Sequence, residues 1–146
     1  MDFLEIFSDR VKQLMTEKDI KEKELTNETG VELSCLYAYL RQASFPSLES
    51  AIKLASFFKC SLDYLFGFTD DFEKREFILS DSIASRFETV LKEEKISRYR
   101  LSKELSVSQS TLSLWHSGKI QPKLESLIRV CNKLGVSLDF LAGRTI

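Results

Sequence analysis

Apolar residues recur along this chain at intervals of three and four, the spacing that lines one face of an α-helix. Phe7, Val11, Leu14 and Met15 make one such stripe, and Ile83, Phe87, Val90 and Leu91 make a second. The residues after the second stripe predict four more helices. Ser97 is placed to cap a helix containing Leu101 and Leu105, and Ser108 to cap one containing Leu112 and Trp115, with a tight turn between them. Beyond Gly118 and Pro122 a further helix carries Leu124, Leu127, Ile128, Cys131 and Leu134, and Ser137 caps a short last one with Leu138 and Leu141. No stretch of Val, Ile or Thr alternates with period two, so no sheet is expected. The pattern predicts an all-α protein.

The pattern occurs twice. Pro46, Ser47, Leu48, Glu49 and Ser50 recur as Pro122, Lys123, Leu124, Glu125 and Ser126, an offset of 76 residues. Without a gap, the same offset pairs Arg10 with Arg86, Leu25 with Leu101, Val31 with Val107, Leu36 with Leu112, and Gly67 with Gly143. A period this long is outside the roughly 20 to 50 residues of stacked solenoid repeats and fits duplication of a whole small domain. The expected organisation is a domain over 1–67, a linker over 68–80 and a second domain over 81–146. The linker mixes acids with Phe72, Phe77, Ile78 and Leu79, so it is not a free Gly/Ser tether.

With 146 residues, 43% hydrophobic and 29% charged, the chain has the composition of a globular protein. Cys35, Cys60 and Cys131 are odd in number and lack metal-ligand or redox spacing, so they read as small apolar residues in a reducing compartment. Asp2 and Glu5 break the opening apolar stretch, so no secretory signal is expected. No run reaches membrane-spanning length. The expected location is the cytoplasm, with no membrane partner. Net charge is only -1, but it is unevenly spread. Residues 1–76 hold 10 Lys/Arg against 15 Asp/Glu, whereas residues 77–146 hold 11 against 7. Only the second half is attractive to a polyanion.

The stretch from Ser97 to Lys119, two short helices joined by a tight turn, resembles the helix-turn-helix of the Cro and phage-repressor (XRE-like) family. Nearly the whole chain takes part in the resemblance, as two tandem copies. It implies two five-helix, lambda-repressor-like domains in a transcriptional regulator, a repressor, that binds double-stranded DNA. The motif needs a small residue where its helices cross, met by Thr26 and Ser102, and a residue tolerant of positive φ at the turn, met by Gly30. Ser106 departs from glycine in the second copy.

By this resemblance Gln109, Ser110, Ser113 and Leu114 fall on base-facing positions of a recognition helix lying in the major groove. Glutamine pairs with adenine, serine donates or accepts, and leucine meets a thymine methyl. Arg98, Ser108, Ser117, Lys119 and Lys123 become phosphate contacts. The first copy is altered: Glu22 stands for Arg98, Leu33 for Gln109, Ala38 for Leu114 and Ala43 for Lys119. Ser34, Tyr37, Arg41 and Gln42 remain as weaker contacts there. Since one such domain reads only a half-site, a homodimer is expected, formed through the first repeat or the connector.

A second reading makes the acidic first repeat a grip for another protein, as in an antitoxin-like or anti-repressor partner. An enzyme is not indicated. His116 is the only histidine, so no catalytic triad or histidine metal cluster can be assembled, and no cofactor or catalytic residue is assigned. His116 itself is expected on the surface, Trp115 in the core, and the acid pairs Asp70–Asp71 and Glu93–Glu94 in solvent.

Overall fold

The computed structural model describes residues 2–146. The chain is all-α and divides into two compact units, the first ending at Phe77 and the second beginning at Ile78.

The first unit consists of α1 (Phe3–Lys18), α2 (Glu22–Thr29), α3 (Leu33–Leu40), α4 (Leu48–Phe58) and α5 (Leu62–Leu65). Local chemistry explains where these helices start and stop. Asp2, Ser47 and Ser61 cap α1, α4 and α5 by accepting from the backbone N–H three residues on, each bond worth about 1 kcal/mol. Gly30 ends α2 at φ 80°, a left-handed conformation that costs glycine nothing. The apolar stripe of α1 is buried, and Phe7 lies at its centre, stacked on Phe66 at 4.8 Å and edge-on to Tyr39 at 6.3 Å.

After α5 the chain does not leave the first unit. Phe68 stacks on Phe3 at 5.3 Å, Phe72 packs edge-on to Tyr64 at 5.3 Å, and the Arg75 N–H donates to the Lys59 carbonyl at 2.8 Å. Arg10 fastens this segment by donating to the carbonyls of Tyr64 and Thr69 and pairing with Asp70. The stretch 68–77 is therefore held by first-unit contacts, as its aromatic content allows.

The second unit consists of β1 (Ile78–Leu79), α6 (Ile83–Glu93), α7 (Arg98–Leu105), α8 (Gln109–Ser117), α9 (Leu124–Leu134), α10 (Leu138–Leu141) and β2 (Arg144–Thr145). The five helices follow the order of the first unit. The bounds of α7, α9 and α10 lie 76 residues beyond those of α2, α4 and α5. Phe87, Leu101, Leu112, Leu127, Ile128 and Leu138 fill the core.

The strands correct the expectation that no extended pairing occurs. Ile78 lies opposite Thr145 and Leu79 opposite Arg144 in an antiparallel pair. Strands of two residues are too short to show alternation, and their partners are far apart in sequence, so the local pattern carries no trace of them. The pairing is anchored from behind by Arg144, which is buried and bonds Asp139 at 2.7 Å. Gly143 is equally constrained: at φ +84°, a Cβ there would collide with the Asp81 carbonyl. Cys60 and Cys131 are buried as expected, while Cys35 is only half-buried. Among the described residues no helix is long and apolar enough to cross a membrane.

Candidate nucleic-acid interface

The surface with the most definite chemistry lies on α7 and α8 of the second unit. Ser97 caps α7 by accepting from the Arg100 N–H at 3.1 Å. Leu101 and Leu105 point inward from this helix, and between them Ser102, 7% exposed, turns its hydroxyl onto the Tyr99 carbonyl at 2.7 Å. A small side chain whose polar group is satisfied by its own helix allows close approach at the crossing. In the first unit Thr26 occupies the equivalent place, and its hydroxyl is buried with no hydrogen-bond partner among the described residues.

The turn spans the three residues 106–108. Ser106 adopts the left-handed conformation, φ 55°, and its N–H donates to the Ser102 carbonyl. The motif's geometry is thus kept without glycine, at a backbone cost of roughly 1 kcal/mol. Ser108 then caps α8, accepting from the Thr111 N–H at 3.1 Å and sharing a hydroxyl–hydroxyl bond with Thr111 at 2.8 Å.

Two large residues fix the rotation of α8. Leu112 is fully buried, and Trp115 packs edge-on to Phe87 of α6 at 6.1 Å. With about 100° between successive residues, this leaves Gln109, Ser113, Ser117, Ser110 and Leu114 within an arc of roughly 140°. Gln109, Ser110, Ser113 and Ser117 are exposed and Leu114 is half-buried, so the base-facing candidates form one continuous surface. His116, expected on the surface, is half-buried. It corresponds to the buried Leu40 of α3.

Arg98, the first residue of α7, borders the same arc. Its Nη1 donates to Ser113 Oγ at 3.1 Å, tying the start of one helix to the middle of the next. No motif marks this link, because the two residues are 15 apart and on different elements. Ser117 donates to the Leu114 carbonyl at 3.2 Å within its own helix. Gly118 ends α8 at φ 78°, and beyond it Lys119 and Lys123 are exposed. Lys123 stands at the N-cap of α9 and provides no side-chain cap. The first-turn backbone N–H groups of α9 therefore lack a side-chain acceptor from the capping position.

The equivalent surface of the first unit differs in chemistry. Ser34, Tyr37, Arg41 and Gln42 are exposed, but Leu33 and Ala38 are half-buried and apolar, and Glu22 begins α2. Neither Lys21 nor Glu32, the N-cap residues of α2 and α3, forms a capping bond. A groove of about 600 Å³ lies there, lined by Lys12, Lys21 and Arg41 together with Asp19, Glu22 and Tyr37. Its charge is mixed, unlike the basic border of α8.

Comparison with curated proteins and with solved structures gives no match. Residues 88–141 match the helix-turn-helix family model, a span that runs from within α6 to the end of α10. This part of the second unit is thus similar to a helix-turn-helix family in a single copy, and the matched span takes in α7 and α8.

Proposed function

We propose that this chain is a sequence-specific transcriptional regulator, a repressor, that lays α8 in the major groove of double-stranded DNA. The observation that carries the reading is the arc Gln109, Ser110, Ser113 and Leu114, turned outward because Leu112 and Trp115 hold the opposite face in the core. An α-helix fits the major groove, and these side chains match base edges there. Lys119 and Lys123, with Ser117 and the end of α8 that Ser108 caps, hold the bordering phosphates and fix register. A compact protein seated in the groove blocks access to the site, which is the simplest route to repression.

The two units derive from duplication of one helix-turn-helix domain, and they have diverged. The shared element order and the offset of 76 residues support this. A single reading helix covers a half-site, so the chain acts as a homodimer. The experiment is fluorescence anisotropy of the full chain on a duplex selected from a random pool and on an unrelated duplex, across a range of salt. Specific binding with a steep salt slope supports the reading, and the double variant Lys119→Ala/Lys123→Ala should lower that slope by about 1 to 2. Equal affinity for both duplexes would remove it.

One set of residues favours a second role for the first unit. Glu22 in place of Arg98 and Leu33 in place of Gln109 repel phosphate or offer it nothing, while Tyr37 is 44% exposed. That surface suits a protein partner better than DNA.

A further inference from the structure

We infer that Arg98 is a base reader for guanine, held in place by Ser113, rather than a phosphate clamp at the rim of the interface. The inference rests on the groove reading of α8 given above. An arginine at the start of α7 is free to point outward toward a phosphate strand. Here it turns across to α8 instead, and its Nη1 donates to Ser113 Oγ at 3.1 Å. Ser113 lies one turn beyond Gln109 on the exposed arc, so the guanidinium reaches that arc at its middle.

The chemistry of the guanidinium fits this place. It has five N–H donors in a planar fork, and Ser113 occupies one of them. Four remain, enough for the two parallel bonds to O6 and N7 that distinguish guanine in the major groove. Anchoring by Ser113 also removes rotamer freedom that a long exposed side chain otherwise loses on binding. Both ends of the link are changed in the first unit, where Glu22 and Tyr37 stand for Arg98 and Ser113. A carboxylate cannot make the guanine pair, so this readout belongs to the second unit alone.

The test uses the full chain and a random-sequence duplex pool. Wild type should select a motif containing a guanine whose replacement by 7-deazaguanine, which lacks the N7 acceptor, weakens binding by about 5- to 10-fold. Arg98→Ala should abolish that penalty. Arg98→Lys, which keeps the charge and loses the fork, should lose most of the penalty while retaining affinity for an unrelated duplex. Ser113→Ala should lower the guanine preference a few-fold and leave the salt slope unchanged, a result that a purely structural role does not give. If Arg98→Lys and Arg98→Ala left every guanine penalty intact and changed affinity for all duplexes alike, Arg98 would be a phosphate contact and α8 would still be the reader. If wild type selected no motif, both readings would fall together.

Discussion

The Arg86 guanidinium lies 4.3 Å from the centre of the Phe140 ring and donates to the carbonyl of that same residue at 3.1 Å. Arg10 does the same in the first unit, sitting 4.3 Å over the Tyr64 ring and donating to the Tyr64 carbonyl. In each unit one side chain of the first helix thus adds a second donor, beside the N–H of Gly67 or Gly143, to a carbonyl at the end of the fifth helix and covers its ring. The carbonyls near a helix C-terminus have no partner within their helix, and a cation is favoured there. Arg86→Met, which keeps the stem but removes the donors, should cost about 1–3 kcal/mol in chemical denaturation of the full chain. An unchanged denaturation midpoint would show that solvent replaces this bond without loss.

Gly143 and Gly30 both have positive φ, but only Gly143 is closed in by backbone. Gly30→Ala meets open space and should cost only the left-handed strain, about 1 kcal/mol. Gly143→Ala must push the Asp81 carbonyl aside and disturb the pairing of Ile78–Leu79 with Arg144–Thr145. It should lower the melting temperature distinctly more than Gly30→Ala, and equal effects in a side-by-side melt would count against the β1–β2 clasp.

Ser106 is a non-glycine residue at φ 55° in the turn of the helix-turn-helix. Ser106→Gly should relieve the strain without touching the core, so stability should rise by about 1 kcal/mol with duplex binding unchanged. A loss of stability would mean that this turn depends on the serine itself.

Asp81 carries a pH signature. Its carboxyl is held below its ordinary range chiefly by the Ser82 N–H, which donates to it at 2.8 Å, with help from the Ser85 hydroxyl and Arg86. A carboxylate whose pKa falls on folding adds stability above its unfolded value of about 4, and that stability is lost as pH drops through the folded pKa. Between about pH 4 and lower values, Asp81→Asn should therefore lose less stability than wild type. Parallel stability curves for the two proteins across that range would exclude the effect.

Much of this fold is legible in the sequence because it is local. Stripes such as Phe7, Val11 and Leu14 announce helices, and caps such as Ser97, Ser108 and Ser137 mark where they begin. The exposed arc of α8 follows as soon as Leu112 and Trp115 are recognised as its anchors. What could not be read is long-range: the docking of Phe72 on Tyr64, the pairing of Ile78–Leu79 with Arg144–Thr145, and the reach of Arg98 to Ser113. Each joins residues that no periodicity connects. His116 shows the same limit, since its half-burial depends on what packs beside α8 rather than on its own polarity.

The most direct test of α8 as the reading element is the affinity of Gln109→Ala for a selected duplex and for an unrelated one. Gln109 is exposed at the first turn of α8, so its removal should leave folding, salt slope and unrelated-duplex affinity unchanged. Affinity for the selected duplex should fall by roughly 5- to 100-fold, with preference relaxed at a single base pair. Undiminished preference at every base pair of the selected site would contradict the placement of α8 in the groove.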